Sequence, residues 1–357
     1  MARCCELARQ GLGHVSPNPL VGAVVVAEGR IIGEGYHQRY GSPHGEVEAI
    51  RRVDDKELLK KATLYVNLEP CCHHGKTPPC TTLIQEVGIP RVVFGVKDPN
   101  PLVSGRGSQI LNEAGISVTG EVLTSTCRHL NRRFFTNIEK NRPYIILKWA
   151  ETGDGFIARS DFSSQWISCE ASRNLVHQWR AEEDAILVGT RTAVKDNPQL
   201  SVRSVSGRNP IRIILDRKGV VPSTHHIYDG SQKTILISEL KPTTTTVGWI
   251  AFPKSTSQVE WWSLLFTKLF ENKIGSLIVE GGSQVLHGLI ETGLWDEARV
   301  FRSEQLFHEG IAAPRLPEEQ LAARKHGSTL SGTDRLDIYE PIAKPSYPSK
   351  HLSFVTT

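Results

Sequence analysis

Long apolar runs are missing from this chain of 357 residues. The longest, such as Leu20 to Ala27, are far shorter than the ~18–20 residues that a membrane-spanning helix needs. The N-terminal residues contain no apolar core, so they do not predict a secretory signal peptide. The seven cysteines show no disulfide-framework spacing, which is typical of proteins in a reducing compartment. These absences predict a soluble, cytoplasmic protein without a membrane partner.

A strong excess of charge of one sign is also absent. The formal net charge is +4, and basic residues occur in scattered pairs such as Arg51-Arg52 and Arg132-Arg133. Because there is no basic run or arginine-rich arm, nucleic acid is not an expected partner. The composition, with 39% hydrophobic and 22% charged residues, is that of a globular protein. A chain of this length most often forms two domains.

Strand and helix patterns alternate through residues 1–120. Apolar residues on both sides of Glu28-Gly29 predict a β-hairpin. Gly88 is expected to end a helix. The further predicted strands cover residues 63–68, 91–96 and 116–118, and the predicted helices cover 46–53, 80–87 and 108–114. This order predicts a mixed sheet layered with helices.

A domain boundary is predicted near residue 142. Asn141-Arg142-Pro143 interrupts the pattern, and a proline disfavours helical backbone at the residue before it. We therefore expect one domain over residues 1–142 and a second over 143–357. In the second, strands are predicted at 144–150, 185–188, 211–216 and 276–280, helices at 170–181 and 284–291, and a loop at 241–248.

The first half contains a set of residues suited to a catalytic metal. His44, Cys71 and Cys80 supply three ligands for Zn²⁺, and Glu46 is a carboxylate that is not needed as a ligand. Structural zinc sites use four protein ligands, whereas three ligands leave a position for water. A glutamate two residues after the histidine can then move protons, as in zinc deaminases. We predict His44, Cys71 and Cys80 as metal ligands and Glu46 as the catalytic residue.

Other interpretations of these residues are ordinary ones. A single histidine beside a glycine usually lies in a loop, and a glutamate soon after it is often a helix N-terminal charge. The run from Cys71 to His74 could form a structural zinc knuckle, but no second ligand pair follows at finger-like spacing. The remaining cysteines outside this run have no evident partner and are expected to be buried or idle: Cys4, Cys5, Cys127 and Cys169.

A second site is suggested where Val279-Glu280 runs into Gly281-Gly282-Ser283 and a predicted helix. Glycines at a strand-to-helix turn let a phosphate approach backbone amides at the helix N-terminus. Such pairs more often simply make a tight turn. Gly105-Arg106-Gly107 lacks the third glycine and the setting of a Rossmann fingerprint, so that kind of dinucleotide site is not expected.

Three motifs resemble one known family over nearly the whole chain. They are Ser16-Pro17-Asn18-Pro19-Leu20-Val21-Gly22, the run Leu68-Glu69-Pro70-Cys71 through Pro78-Pro79-Cys80, and Lys97-Asp98-Pro99-Asn100-Pro101. The family is that of the bifunctional deaminase/reductases of riboflavin biosynthesis. The chain departs from it at Gly45, where the family usually has Ala, and at Cys72, where it usually has Ser.

The resemblance implies a fold class and two activities. The fold is α/β, with an N-terminal cytidine-deaminase-like mixed sheet with helices on both faces and a C-terminal dihydrofolate-reductase-like domain. The first activity is zinc-dependent deamination of 2,5-diamino-6-(5-phosphoribosylamino)pyrimidin-4-one to 5-amino-6-(5-phosphoribosylamino)uracil. The second is NADPH-dependent reduction of the ribosyl group to ribityl. One Zn²⁺ and NADPH are the implied cofactors, and the enzyme could also form homo-oligomers.

The resemblance also implies roles for particular residues. Arg180 and Arg203 would hold substrate phosphate, since arginine offers a planar fork of donors, although either one alone is more often a surface charge. Asn18 would meet the pyrimidine edge, and Lys148 and Glu280 would point from strand ends into the cleft. The further substrate residues are Ser164 and Leu200. The cofactor residues are Ala150, Trp166, Thr192, Asp196, Gly282, Ser283, Gln284, Val285, Leu286, His287 and Gly288.

Three alternatives remain at this point. A nucleic-acid deaminase would share the metal site, but it needs a basic, aromatic-lined groove and leaves residues 143–300 unexplained. A deaminase with an inactive or regulatory second half would keep the same motifs. A non-enzymatic zinc-binding protein would leave Glu46 without a role.

Overall fold

Two β-sheets organise the computed structural model, which describes residues 1–73, 78–101, 103–161, 166–255, 257–317 and 325–341. Among these residues, every helix is too short or too polar to cross a membrane.

The N-terminal sheet has five strands in the order β2-β1-β3-β4-β5. β1 pairs antiparallel with β2 and β3, whereas β3, β4 and β5 run parallel. The predicted mixed sheet is therefore confirmed, and the strands at 63–68 and 91–96 have the predicted bounds. The strands are β1 Gly22–Ala27, β2 Arg30–Tyr36, β3 Thr63–Leu68, β4 Arg91–Val96 and β5 Ser117–Thr119.

Among the residues that the structure describes, six helices accompany this sheet, and the first of them was not predicted. The first helix, at the N-terminus, buries Cys4, Cys5, Leu7 and Ala8. Near the end of this half, one helix ends at Leu130 and the next begins at Arg132. The helices are α1 Ala2–Arg9, α2 Gly45–Arg51, α3 Cys80–Glu86, α4 Arg106–Glu113, α5 Thr124–Leu130 and α6 Arg132–Lys140, with a 3₁₀ turn at Lys56–Lys61.

Two cysteines expected to lack partners lie against each other. The Sγ atoms of Cys5 and Cys127 are 3.6 Å apart in the core between α1 and α5. Both are buried, as expected, but their contact was not predicted, because residues 122 positions apart in the chain meet only through packing. Cys4 is fully buried, and Cys169 lies half-buried beside Ser172.

The C-terminal sheet has nine strands in the order β11-β10-β9-β8-β12-β6-β13-β16-β15. The strands from β11 to β13 in that order are parallel, and β16 and β15 add antiparallel pairs at one edge. The strands are β6 Tyr144–Glu151, β8 Ala185–Gly189, β9 Ile211–Leu215, β10 Thr234–Ser238, β11 Gly248–Ala251, β12 Ser276–Val279, β13 Glu297–Arg302, β15 Lys325–Ser331 and β16 Asp334–Tyr339; β7 Phe156–Ala158 and β14 Ile311–Ala312 form a separate pair.

The helices of this half follow the parallel strands. Because parallel strands end at one edge of a sheet, the turns after β8 and β12 lie side by side there. Gly189, at the end of β8, permits this approach, because a Cβ atom there would lie 2.8 Å from Val285. The helices are α7 Glu170–Glu182, α8 Thr190–Asp196, α9 Gln258–Glu271 and α10 Ser283–Thr292. Of these, α8 and α9 were not predicted.

Candidate active sites

The three predicted metal ligands come together at the ends of three elements. His44 is the N-cap of α2, Cys71 follows β3 by three residues, and Cys80 is the first residue of α3. His44 Nδ1 lies 3.5 Å from Cys71 Sγ and 3.4 Å from Cys80 Sγ, and all three ligand atoms lie within 4.8 Å of one another. Nitrogen and sulfur ligands around one zinc ion lie about 3.5 Å apart. The residues therefore fit Zn²⁺.

Close packing of α2 on the hairpin sets the position of this site. A Cβ atom at Gly33 or at Gly35 would lie 2.4 Å from the backbone of Ala49, so glycine lets the helix lie directly on β2. At Gly45 a Cβ atom would lie 2.8 Å from the Val21 carbonyl oxygen. In this chain, glycine in place of the family's usual alanine therefore relieves a tight contact beside the metal ligand.

Glu46 is buried in the first turn of α2, with 3% of its surface exposed. Among the described residues, its Oε2 atom has no hydrogen-bond partner. Burial raises the pKa of the Glu46 carboxyl. A buried carboxyl that keeps one oxygen without a partner, two residues from a metal ligand, is suited to accept and return a proton.

Cys71 and Cys72 fit this assignment. A hydrogen bond with Cys80 lowers the pKa of the Cys71 thiol to about 4, and it is the thiolate that binds zinc. Cys72 is not part of the group of converging ligand atoms, whereas Cys71 and Cys80 are. That Cys72 is not needed for zinc binding stays a prediction.

Asn18 contacts the metal site through His37, which the sequence analysis missed. His37 Nδ1 lies 3.0 Å from the Pro43 carbonyl oxygen and donates to it, so Nε2 is left to accept from Asn18 Nδ2 at 3.1 Å. Burial lowers the pKa of His37, which keeps the ring neutral. The ring meets the His44 ring edge-on at 5.4 Å. A histidine directly after a strand gave no signal in the sequence.

A cavity of about 1,180 Å³ lies at the carboxyl ends of the parallel strands in the second half. It brings together most of the residues implied for substrate and cofactor: Ala150, Trp166, Arg180, Thr192, Asp196, Leu200, Arg203, Glu280, Gly282, Ser283, Gln284, Val285 and Leu286. Two others are not among the lining residues. His287 is exposed, and Gly288 faces α9, where a Cβ atom would lie 2.4 Å from Gln258. Ser164 lies outside the described residues.

Three charged residues form the polar centre of this cavity. Glu280, directly after β12, accepts hydrogen bonds of 2.8 Å from both Nε and Nη2 of Arg180. Lys148 Nζ lies 3.7 Å from Glu280, and the three side chains are 9–15% exposed. Burial opposes ionisation of Glu280, but the two cations outweigh it and lower its pKa to about 2. Lys148 lies within β6 rather than at a strand end, contrary to expectation, because β6 continues to Glu151.

Further lining residues were missed, although α7 carried a usable signal. Arg173 and His177 also line the cavity, and with Arg180 they have the spacing of one helix face. The Arg173 guanidinium lies 5.1 Å from the Trp166 ring, and His177 Nδ1 is buried without a partner among the described residues. Phe252 and Trp261 line the cavity from the end of β11 and from α9, which the sequence did not predict, and Arg217 lines it from the turn after β9.

Known proteins resemble this chain in both halves. Residues 1–96 match the cytidine and deoxycytidylate deaminase zinc-binding region, and residues 143–307 match the RibD C-terminal domain. The riboflavin biosynthesis protein RibD of Aquifex aeolicus is 41% identical over 347 residues, which cover 95% of this chain and 97% of that protein. The RibD of Escherichia coli is 37% identical, covering 86% and 87%.

Two solved structures are similar over almost the full length. One is from Thermotoga maritima and is named a diaminohydroxyphosphoribosylaminopyrimidine deaminase/5-amino-6-(5-phosphoribosylamino)uracil reductase. It has a TM-score of 0.87 and 40% identity, and the match covers 96% of this chain and 97% of that one. Acinetobacter baumannii RibD has a TM-score of 0.84 and 31% identity, covering 96% and 97%. The predicted fold class is confirmed, as are the two activities and the cofactors zinc and NADPH. The chain belongs to the RibD family of riboflavin biosynthesis proteins, with a zinc-binding deaminase domain and a reductase domain.

Proposed function

We propose that this chain deaminates 2,5-diamino-6-(5-phosphoribosylamino)pyrimidin-4-one and then reduces the ribosyl group of the product to ribityl with NADPH. The observation that carries the proposal is the convergence of His44, Cys71 and Cys80 beside the buried carboxyl of Glu46. The name of the Thermotoga maritima relative, which gives a deaminase and a reductase activity, supports these two substrates. We place the domain boundary at residue 142, between the end of α6 and the start of β6.

In the deaminase site, His44, Cys71 and Cys80 would hold Zn²⁺. When bound, zinc lowers the pKa of a water molecule towards ~7 and so supplies a nucleophile at neutral pH. Glu46 would take one proton of that water and pass it to a ring nitrogen of the pyrimidine, as the water oxygen bonds to the ring carbon that bears the amine. It would then carry the second proton, from the hydroxyl now on that carbon, to the amino group, so that the carbon–nitrogen bond breaks, ammonia leaves and a carbonyl forms. The Asn18 amide nitrogen is engaged by His37, so its carbonyl oxygen is the atom that can accept a hydrogen bond from the pyrimidine edge.

In the reductase site, NADPH supplies the hydride when it is bound. The backbone amides of Gly282, Ser283 and Gln284 at the start of α10 would meet its phosphates, because a helix N-terminus attracts anions, and Val285 and Leu286 line the cavity beside them. Trp166, Thr192, Asp196 and Ala150 line the same cavity and would contact the rest of the cofactor.

The substrate phosphate is assigned mainly to Arg203. Arg180 donates twice to Glu280 and once to the Ser201 carbonyl oxygen, so about two of its five N–H groups remain. Arg203 is exposed at the cavity and is bonded to the neutral side chain of Gln199. Its charge is therefore not neutralised by that partner, and it can bind a phosphate directly. Leu200 and Ser164 are also proposed to contact the substrate. Leu200 lies between Arg180 and Arg203 in the chain, and Ser164 is proposed on resemblance alone.

A cytoplasmic location is proposed because none of the seven cysteines, all within the described residues, forms a disulfide, which suits a reducing compartment. The oligomeric state stays a prediction.

The test is to give the zinc-loaded enzyme the diaminopyrimidine phosphate and to measure ammonia release and NADPH oxidation separately. Glu46→Gln should abolish ammonia release, while it keeps zinc and still reduces substrate that is already deaminated. Glu48→Gln on the same helix is the matched control, because Glu48 pairs with the surface residues Arg51 and Arg52. Ammonia release without NADPH oxidation by the wild type would favour a deaminase with an inactive second domain. Equal loss of both activities in Glu46→Gln would contradict the division into two sites.

A further inference from the structure

A loop of the deaminase domain is held by the reductase domain. Ser16 Oγ donates a hydrogen bond of 2.6 Å to Asp184 Oδ2, across 168 positions of the chain. Asp184 directly precedes β8 and is 6% exposed. Its Oδ2 atom also accepts from the Gly275 amide at 2.8 Å, and its Oδ1 atom accepts from Arg208 Nη2 at 2.7 Å. The carboxylate is therefore a fixed acceptor for Ser16.

The start of the same loop has a second attachment. Arg208 Nε donates to the carbonyl oxygen of Gly13. Gly13 has a positive φ of 82°, and a Cβ atom there would lie 2.7 Å from the Ala181 carbonyl oxygen of α7. Only glycine lets the loop approach α7 this closely in that conformation. Residues 13–16 are thus held at both ends by reductase-domain groups.

The two hydrogen bonds and the buried side chain of Val15 hold the loop, but its packing against the reductase domain is incomplete. A cavity of about 40 Å³ lies at the domain interface, and Ser16, Pro17, Asn18 and Asp184 are among its lining residues. The space leaves room for the loop to shift once the Ser16 bond is lost. Leu20, at the far side of the loop, is fixed within the deaminase domain by Asn131.

The loop leads directly to the deaminase site. Asn18 follows Ser16 by two residues, and its backbone N–H donates to the Val15 carbonyl oxygen at 2.8 Å in a tight turn. Its side chain donates to His37, whose ring contacts the metal ligand His44. A shift at Ser16 is therefore transmitted to the side chain that is assigned to the pyrimidine.

We infer that Asp184 of the reductase domain is a positioning residue for the deaminase reaction: through Ser16 it fixes the loop that presents Asn18 to the pyrimidine. This inference rests on the proposed contact of Asn18 with the substrate. Without the Ser16 bond, substrate binding would have to order the loop, and the entropy of that ordering would weaken binding.

Ser16→Ala in the full zinc-loaded chain tests the inference. We expect the KM for deamination to rise about ten- to a hundredfold, the range expected for one hydrogen bond to a charged group, with kcat within about threefold of wild type. Zinc content and reduction of the deaminated substrate should not change. Ser16→Thr keeps the hydroxyl and should restore a KM near the wild-type value. Ser231→Ala is the matched control, because Ser231 makes the same kind of bond to Asp229 on an exposed surface.

A second pair of variants separates this inference from the proposed function. Asp184→Asn removes the carboxylate from the other side of the bond and should also raise the deamination KM. An unchanged KM in both Ser16→Ala and Asp184→Asn, or an equal fall in reduction, would overturn the positioning role. Asn18→Ala reports on the pyrimidine contact itself: if its KM stays at the wild-type value, the assignment of Asn18 in the proposed function is wrong, whatever Ser16→Ala does.

Discussion

Glu280→Gln should weaken both the stability of the reductase domain and its reaction. In the wild type, the Glu280 carboxylate accepts two hydrogen bonds from Arg180 and lies 3.7 Å from the Lys148 ammonium. The amide keeps one acceptor oxygen but removes the negative charge. Two nearly buried cations would then face each other without a counter-charge.

The lowered pKa of Glu280 sets the size of the effect on stability. A fall from 4.5 to about 2 corresponds to about 3 kcal/mol at neutral pH, within the range of about 3–5 kcal/mol for breaking a buried ion pair. For a domain of this size the loss lowers the Tm by about 6–12 °C. Because the folded-state pKa is the lower one, this stabilisation is complete above pH 4.5 and is lost as the pH falls towards 2.

The assay compares unfolding and kinetics in one set of proteins. The difference in Tm between wild type and Glu280→Gln should be largest at pH 7 and should narrow below pH 4.5. The kcat/KM for reduction should fall about ten- to a hundredfold, while deamination is unchanged. Glu151→Gln is the control: it breaks the 2.6 Å pair with Arg302 outside the cavity, so it should lower the Tm but spare reduction. Reduction by Glu280→Gln as fast as by Glu151→Gln would refute the substrate role of Glu280.

Three further predictions concern the metal, the phosphate and the domain interface. Cys80→Ser should lose most of its zinc by metal analysis, whereas Cys72→Ser should keep it; the reverse result would reassign the ligands. Arg203→Ala should reduce the phosphorylated substrate about ten- to a hundredfold less efficiently, yet use a phosphate-free analogue about as poorly as wild type does. If the variant still prefers the phosphorylated substrate as strongly, Arg203 is only a surface charge. Glu183→Gln, which breaks the pair between the fully buried Glu183 carboxylate and the largely buried Arg133, should lower the free energy of unfolding in denaturant by about 3–5 kcal/mol; no change would show that this pair does not stabilise the interface.

The sequence predicted those elements whose signal is local. β3 and β4 are short apolar runs bounded by turn residues, and their predicted bounds are the observed ones. The polar helix α1 was missed, because its buried face depends on packing against the sheet rather than on helix propensity. β16 and β15 were missed for a similar reason: they are polar strands at the sheet edge, and their pairing with β13 gives them their structure.

The site residues divide in the same way. The zinc ligands could be predicted because the chemistry of a metal site restricts both the residue types and their spacing. The resemblance could name Lys148, Arg180 and Glu280. It could not predict the ion pairs that Glu280 forms with the other two, because these pairs join residues 100 or more positions apart. The contact of Ser16 with Asp184 had no signal at all, since serine and aspartate are ordinary surface residues until the two domains meet.

The position of α7 limits how far the two activities can be separated by mutation. Substitutions at distant sites usually act independently, which supports separate losses for Glu46 and Glu280. However, Arg180 lines the reductase cavity from the last turn of α7, and Asp184 holds the deaminase loop only four residues later. A change that shifts the end of α7 would therefore move groups of both sites. The test is the double variant Ser16→Ala with Arg180→Lys. Its reduction kinetics should differ from those of Arg180→Lys alone only if α7 shifts when the loop is released. If the effects of the two substitutions simply add, Asp184 acts only on the loop, to which its hydrogen bonds attach it.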